Sequence, residues 1–105
     1  MTDRELLELA AKAAGVALRD LDDRYDGWED IPVLIRRGWN PLADDGEALR
    51  LAVKLDIPIS SESANGTTWI CRGKLQVMQP HKDDPYAATR RAIVRAAAEI
   101  GRVTL

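Results

Sequence analysis

Residues 39–55 read WNPLADDGEALRLAVKL and contain both the entrance and the body of a helix. Asp44 or Asp45 begins this helix, because either carboxylate can accept hydrogen bonds from the first free backbone N–H groups. The helix is predicted to run to about Leu55, and Pro58 follows shortly after its end. This segment decides the fold, because its helix carries more apolar surface than contact with one sheet requires.

The apolar face of this helix spans roughly 200° around the axis, at about 100° per residue. Leu49 and Val53 extend the face beyond the side that carries the other apolar residues, which are Ala48, Leu51, Ala52 and Leu55. So wide a face predicts contact on two sides, with the sheet on one and a neighbouring helix or another subunit on the other. We therefore expect a homo-oligomer, with Leu49 and Val53 as candidate subunit contacts.

A second helix is predicted over residues 2–14, where Thr2 and Glu5 have the spacing of a capping box and Gly15 supplies a stop. Five runs are predicted as strands, at residues 16–21, 31–37, 57–60, 67–71 and 74–79. The last two runs flank an Arg-Gly pair and read as an antiparallel hairpin. They are followed by the third predicted helix.

The third helix is alanine-rich and is predicted to begin at Pro85, with Asp84 as its N-cap, and to end near Gly101. Tyr86 and Arg90 lie beside its apolar stripe. The remaining arginines are predicted on the opposite face, at Arg91, Arg95 and Arg102. The order of elements predicts an α+β fold in a single domain over residues 1–105. Its architecture is an α-β-α layered sandwich with three helices on a mainly antiparallel sheet of four to five strands.

Composition excludes several classes of protein. The chain has 105 residues, of which 46% are hydrophobic and 30% charged, as in a soluble globular domain with one core. A formal net charge of -2 argues against non-specific binding to a nucleic-acid backbone. No segment approaches the roughly 20 apolar residues that span a bilayer, so no membrane association is expected and the predicted location is the cytoplasm. Cys71 is the only cysteine and is predicted to be a small buried hydrophobe in a strand.

Residues 39–55, together with the run DDPYAATRRAI at residues 83–93, resemble the phage "ABA sandwich" domain family. Its members are small proteins of bacteriophages and prophages. The resemblance covers nearly the whole chain, from the first helix to Gly101. It implies an α-β-α layered fold and a phage gene expressed inside a bacterium, and the family carries no settled activity to transfer.

Seven residues are candidates for binding a ligand: Trp39, Asn40, Asp45, Trp69, Tyr86, Arg90 and Arg91. Trp39 would form a stacking wall while Asn40 and the N–H groups at the helix entrance contact a polar ligand. The alternative is that Trp39 packs over the sheet and Asn40 sets the turn before the helix. Arg90, Arg91 and Arg95 would either meet phosphates or an acidic partner, or form a solvated face.

No catalytic constellation is evident, because His81 is the only histidine and has no Cys or Ser partner nearby in the sequence. The acidic pairs at residues 44–45 and 83–84 sit where helices begin, which favours capping over metal binding, and no cofactor is expected. We therefore expect a small phage-encoded non-enzymatic binding protein. Its partner would be a nucleotide-derived host immune signal that it sequesters as an anti-defence protein, or a host protein.

Two alternatives remain. The first is a nucleic-acid-binding accessory protein that uses the arginines of the last helix, which the acidic residues at positions 20–30 oppose. The second is a metal-dependent hydrolase that uses the aspartate pairs and His81.

Overall fold

The computed structural model describes residues 2–16 and 39–103. The elements are α1 (Asp3–Ala14), α2 (Asp45–Leu55), β1 (Ser60–Glu62), β2 (Thr67–Arg72), β3 (Leu75–Pro80) and α3 (Pro85–Val103). A 3₁₀ turn at Ser63–Asn65 joins β1 to β2. The strands form one antiparallel sheet in the order β1-β2-β3, so the predicted α+β class is confirmed. None of the described helices is long and apolar enough to cross a lipid bilayer.

The sheet has three strands in the described part of the chain, whereas four to five were predicted. The strand predicted at 31–37 lies outside the described residues. So does the strand predicted at 16–21, apart from its first residue. The strand predicted at 57–60 was placed too early. The Ile57 N–H still donates to the Ala52 carbonyl at 2.9 Å, which prolongs the end of α2 and delays β1. The predicted hairpin between β2 and β3 is confirmed.

The three helices begin at the predicted caps. The Thr2 hydroxyl accepts the Glu5 N–H at 3.1 Å, and the Glu5 carboxylate accepts the Thr2 N–H at 3.0 Å. The backbone N–H of Thr2, and then its side chain, lower the pKa of the Glu5 carboxyl below its usual value. Asp44 accepts the Glu47 N–H at 2.7 Å, and Asp84 accepts two N–H groups in the first turn of α3, each at 3.0 Å. These bonds satisfy donors that a helix start otherwise leaves unpaired.

One face of the sheet shares a hydrophobic core with all three described helices. Ile70 and Val77 are buried there, while Trp69 and Met78, which pair across β2 and β3, are exposed on the other face. No described helix covers that second face. The described residues therefore build helices against one side of the sheet, and they do not form the third layer of the predicted sandwich.

Cys71 lies on the same outer face and is exposed, so the prediction of a buried cysteine is wrong. Successive side chains of a strand point to opposite faces, and Ile70 occupies the buried position in β2. The sequence prediction identified the strand correctly and placed this residue on the wrong side of it.

Helix α3 lies at the centre of the fold, in contact with α1, α2 and the sheet. Both α1 and α3 bury alanines in the shared core, among them Ala10 and Ala97, which are fully buried. The helix was predicted to end near Gly101, and α3 ends at Val103. A Cβ atom at Gly101 would collide with the carbonyl oxygen of Leu9, so glycine is needed here for the close approach of the two helices.

Arg72 caps the C-terminus of α2 from the hairpin. Its Nη1 donates to the carbonyls of Leu55 at 2.6 Å and Asp56 at 2.9 Å, at the helix end where carbonyls lack intrahelical partners. We expect Arg72→Met, which retains most of the aliphatic stem, to lower the free energy of unfolding by about 1 kcal/mol in urea denaturation. Arg102→Met is the control, because Arg102 pairs with Glu99 on an exposed helix surface and should contribute less than about 0.5 kcal/mol. Equal losses in the two variants would contradict the capping role.

Candidate functional site

A cleft of about 310 Å³ lies between α2 and the first half of α3. We call it the α2–α3 cleft; its lining is mostly apolar and consists of Asp45, Ala48, Leu49, Ile59, Tyr86, Thr89, Arg90 and Ile93. Leu49 and Tyr86 are 60% and 70% exposed, whereas Ile93 is buried. Three of the seven predicted ligand-binding residues, Asp45, Tyr86 and Arg90, therefore lie together at one site.

Helical spacing explains how each wall of the cleft is formed. Tyr86, Arg90 and Ile93 follow one another at intervals of four and three residues, which places them on one side of α3. Asp45 and Leu49 are four residues apart and share one side of α2. The residues of each wall can therefore be predicted from the sequence as one face of a helix. The two walls lie opposite each other because α2 packs on α3.

An ion pair closes one end of the cleft. Arg90 Nη1 lies 2.6 Å from Asp45 Oδ1, and Arg90 Nε donates to the Leu42 carbonyl at 2.8 Å. The Arg90 side chain is 18% exposed and the Asp45 side chain is 68% exposed. The guanidinium is thus held in one orientation with its charge balanced, and the open carboxylate is available to a ligand. Because the ion pair carries no net charge, it offers a polyphosphate no net attraction, and the mostly apolar lining favours an apolar body with a small polar edge.

Trp39 and Asn40 lie in the turn that precedes α2 and do not line the α2–α3 cleft. The Asn40 side-chain oxygen accepts the Leu42 N–H at 3.1 Å, and the Asn40 carbonyl accepts the N–H groups of Ala43 and Asp44, each at 3.0 Å. Trp39 is half-buried and packs against the hydrophobic core. These contacts agree with the alternative to ligand binding, in which Trp39 packs against the core and Asn40 sets the turn before the helix.

Trp69 and Arg91 lie elsewhere on the molecule. Trp69 is on the outer face of the sheet, opposite Met78 in the strand register. Arg91 pairs with Asp3 of α1 at 2.9 Å and borders a separate cleft of about 360 Å³, which His81 and other residues before the start of α3 also line. The structure thus brings together three of the predicted ligand residues and disperses the other four.

Arg91 and Arg95 do not form the solvated face that the helical projection predicted. Arg95 Nη1 donates to the Met78 carbonyl at 3.0 Å and to the Gln79 side chain at 2.8 Å. Together with Arg90, these arginines join α3 to α1, α2 and β3. The projection was wrong because α3 packs on several sides and has only a narrow solvated face, on which Arg102 lies.

Sequence analysis missed a buried polar network at the junction of β2 and α3. The Thr68 hydroxyl lies 2.8 Å from His81 Nε2 and 2.8 Å from the Thr89 hydroxyl, which in turn lies 3.4 Å from the Ser61 hydroxyl. Thr68 is fully buried, so a substrate could not reach its oxygen. The available signal was a threonine two residues before Ile70, at an inward position of the strand.

The two aspartate pairs act at helix starts and do not converge. Asp44 caps α2 and Asp84 caps α3. Within the described ranges, no group of three or more His, Cys, Asp or Glu side chains is placed to hold a metal ion.

Comparison with protein-family models, with curated proteins and with solved structures finds no match to this chain. The resemblance to the phage ABA sandwich family therefore rests on the two sequence motifs.

Proposed function

We propose that this protein is a small non-enzymatic binding protein whose ligand site is the α2–α3 cleft. The observation that carries the proposal is the convergence of Asp45, Tyr86 and Arg90, selected from the sequence for their chemistry, on one mostly apolar cleft. Ligand sites typically combine apolar walls with a few fixed polar groups, and here the Arg90–Asp45 pair supplies the polar groups.

The lining indicates the class of ligand. Tyr86 offers an exposed aromatic ring for stacking, and Leu49 with Ile59 offers aliphatic surface. The Asp45 carboxylate accepts hydrogen bonds, while the guanidinium N–H groups of Arg90 that are not bound to Asp45 or Leu42 can donate them. A flat ring with adjacent donor and acceptor groups, such as a nucleobase or an aromatic amide, matches this combination better than a chain of phosphates.

The resemblance of the two motifs supports a phage origin, and we propose that the protein acts in the bacterial cytoplasm on a nucleotide-type host signal or a host protein. A nucleic-acid-binding role is less favoured. Arg90, Arg91 and Arg95 already pair with protein groups in the described structure, so phosphate contacts would cost those bonds.

A ligand panel tests the site. The panel contains nucleosides, cyclic dinucleotides, ADP-ribose and uncharged aromatic amides, with thermal shift and NMR chemical-shift changes as measurements. We expect a base-containing or amide ligand to raise the melting temperature of the wild-type protein and to shift resonances of residues that line the cleft. Tyr86→Ala should weaken that binding by roughly tenfold or more, because stacking and apolar contact are lost.

Val103→Ala is the matched control, since Val103 is 80% exposed and lies at the far end of α3. It should bind as the wild type does. The proposed site would be wrong if no member of the panel bound, or if Tyr86→Ala and wild type bound with equal affinity.

A further inference from the structure

The buried polar network reaches the α2–α3 cleft through one residue. Thr89 lines the cleft, and its hydroxyl lies 2.8 Å from the Thr68 hydroxyl. The Thr68 hydroxyl in turn lies 2.8 Å from His81 Nε2. Ser61 is exposed and lies 3.4 Å from the Thr89 hydroxyl. The network therefore joins a buried imidazole to a hydroxyl-bearing residue of the cleft wall.

The imidazole sets the direction in which the hydroxyls donate. Among the described residues, no group hydrogen-bonds to His81 Nδ1, and His81 is only 7% exposed. A proton on Nδ1 would be a buried donor without an acceptor, which is costly, so the proton is assigned to Nε2. Nε2 then donates to Thr68. The single hydrogen of the Thr68 hydroxyl goes to Thr89 at 2.8 Å, because Ser61 lies farther away, at 3.5 Å.

This direction leaves the Thr89 hydroxyl with its own hydrogen to donate. Its other partner among the described residues, Ser61, lies at 3.4 Å, whereas a normal O–H···O hydrogen bond measures about 2.5–3.0 Å. We propose that Thr89 donates this hydrogen to an acceptor atom of the ligand in the α2–α3 cleft, and that the ligand is an amino-substituted nucleobase of the adenine type.

This inference rests on the proposed ligand site and narrows its ligand. In adenine, the exocyclic amino group lies beside a ring nitrogen, so one edge of the base can donate to Asp45 and accept from Arg90. A further ring nitrogen, on another edge, can accept the hydrogen of Thr89. A ring with only one polar edge would leave that hydrogen unused.

NMR titration with adenosine tests the inference, together with three analogues in each of which one ring nitrogen is replaced by C–H. The wild type should bind adenosine roughly fivefold more tightly than the analogue that lacks the acceptor for Thr89. Thr89→Val keeps the shape of the side chain and removes the hydroxyl, so it should bind these two ligands equally. Thr89→Ser is the matched control, because it keeps the hydroxyl and should keep the preference.

Nitrogen NMR of the imidazole should show a proton on His81 Nε2 in the free and the adenosine-bound protein. A proton held only on Nδ1 would overturn the inference. Both this measurement and the ligand preference are made on the wild type, so they remain decisive even if Thr89→Val does not fold. A wild type that does not bind adenosine, or that binds it and all three analogues equally, would also overturn the inference.

The variants separate a ligand contact from a purely structural role of Thr89. If Thr89→Val kept the preference of the wild type, or lost affinity equally for adenosine and all three analogues, the proposed hydrogen bond would be wrong. Failure of the ligand site itself has a different signature. If an aromatic amide bound in a manner that required Tyr86 while adenosine did not bind, the proposed function would stand and only this inference would fall.

Discussion

Gly101→Ala is expected to lower the free energy of unfolding by about 3 kcal/mol, at the upper end of the usual cost of overpacking a core. The added methyl group would collide with the Leu9 carbonyl oxygen, which belongs to the backbone and cannot rotate away. Helices α1 and α3 would have to separate, and the fully buried alanines between them would lose contact. Urea denaturation followed by circular dichroism measures the loss.

The control for this substitution makes the same chemical change in a different setting. A Cβ at Gly46 in α2 would lie 3.3 Å from a carboxylate oxygen of Asp44 and 3.4 Å from the guanidinium of Arg50. The Arg50 side chain is exposed and can move, and the Asp44 carboxylate, which caps α2, must give by only a few tenths of an ångström. Gly46→Ala should therefore be neutral, or stabilising by roughly 0.5–1 kcal/mol from improved helix propensity. Similar stabilities for the two alanine variants would show that α1 and α3 do not pack through Gly101.

Thr68→Val is expected to lower the free energy of unfolding by about 2–3 kcal/mol, although the two side chains have nearly the same shape. The substitution removes the hydroxyl that lies within 2.8 Å of both His81 Nε2 and the Thr89 hydroxyl. His81 Nε2 would then lose this partner at a buried position, since Thr68 is fully buried and His81 is buried, and the half-buried Thr89 hydroxyl would lose its shorter hydrogen bond. The loss is measured by urea denaturation.

Thr68→Ser separates the hydrogen bonds from the packing. It keeps the hydroxyl and removes one methyl group, which should cost about 1 kcal/mol. Nitrogen NMR of the imidazole provides a second readout, because the His81 Nε2 signal should shift in Thr68→Val and stay close to its wild-type position in Thr68→Ser. If Thr68→Val were as stable as Thr68→Ser and its imidazole signal were unchanged, the hydrogen-bond network would not contribute to the stability of the fold.

Helices could be predicted from the sequence because their ends are determined locally. Caps at Thr2, Asp44 and Asp84 need only neighbouring residues, and all three are present in the structure. Strand limits depend on partners distant in sequence. The residues after α2 illustrate this, since Ile57 completes a helix end and the strand starts only after it.

The candidate site shows the same division. The positions of Tyr86 and Arg90 on one helix face follow from spacing, so their proximity could be predicted. Asp45 joins them only through the packing of α2 on α3, which no local pattern encodes. Arg91 and Arg95 were predicted on a solvated face, but both contact neighbouring elements. The prediction failed because a helical projection treats a helix as having one buried side. In this fold α3 is contacted by α1, α2 and the sheet.

Arg95 has a consequence for solubility. In the described sheet β3 is an edge strand, and its alternate backbone groups, including those of Met78 and Pro80, point away from β2. An open strand edge is a template on which another chain can add a strand and begin aggregation. Here the Met78 carbonyl is occupied by the Arg95 guanidinium, and Pro80 has no N–H to offer. The contact that anchors α3 to the sheet therefore also protects the edge of β3 against unwanted strand pairing.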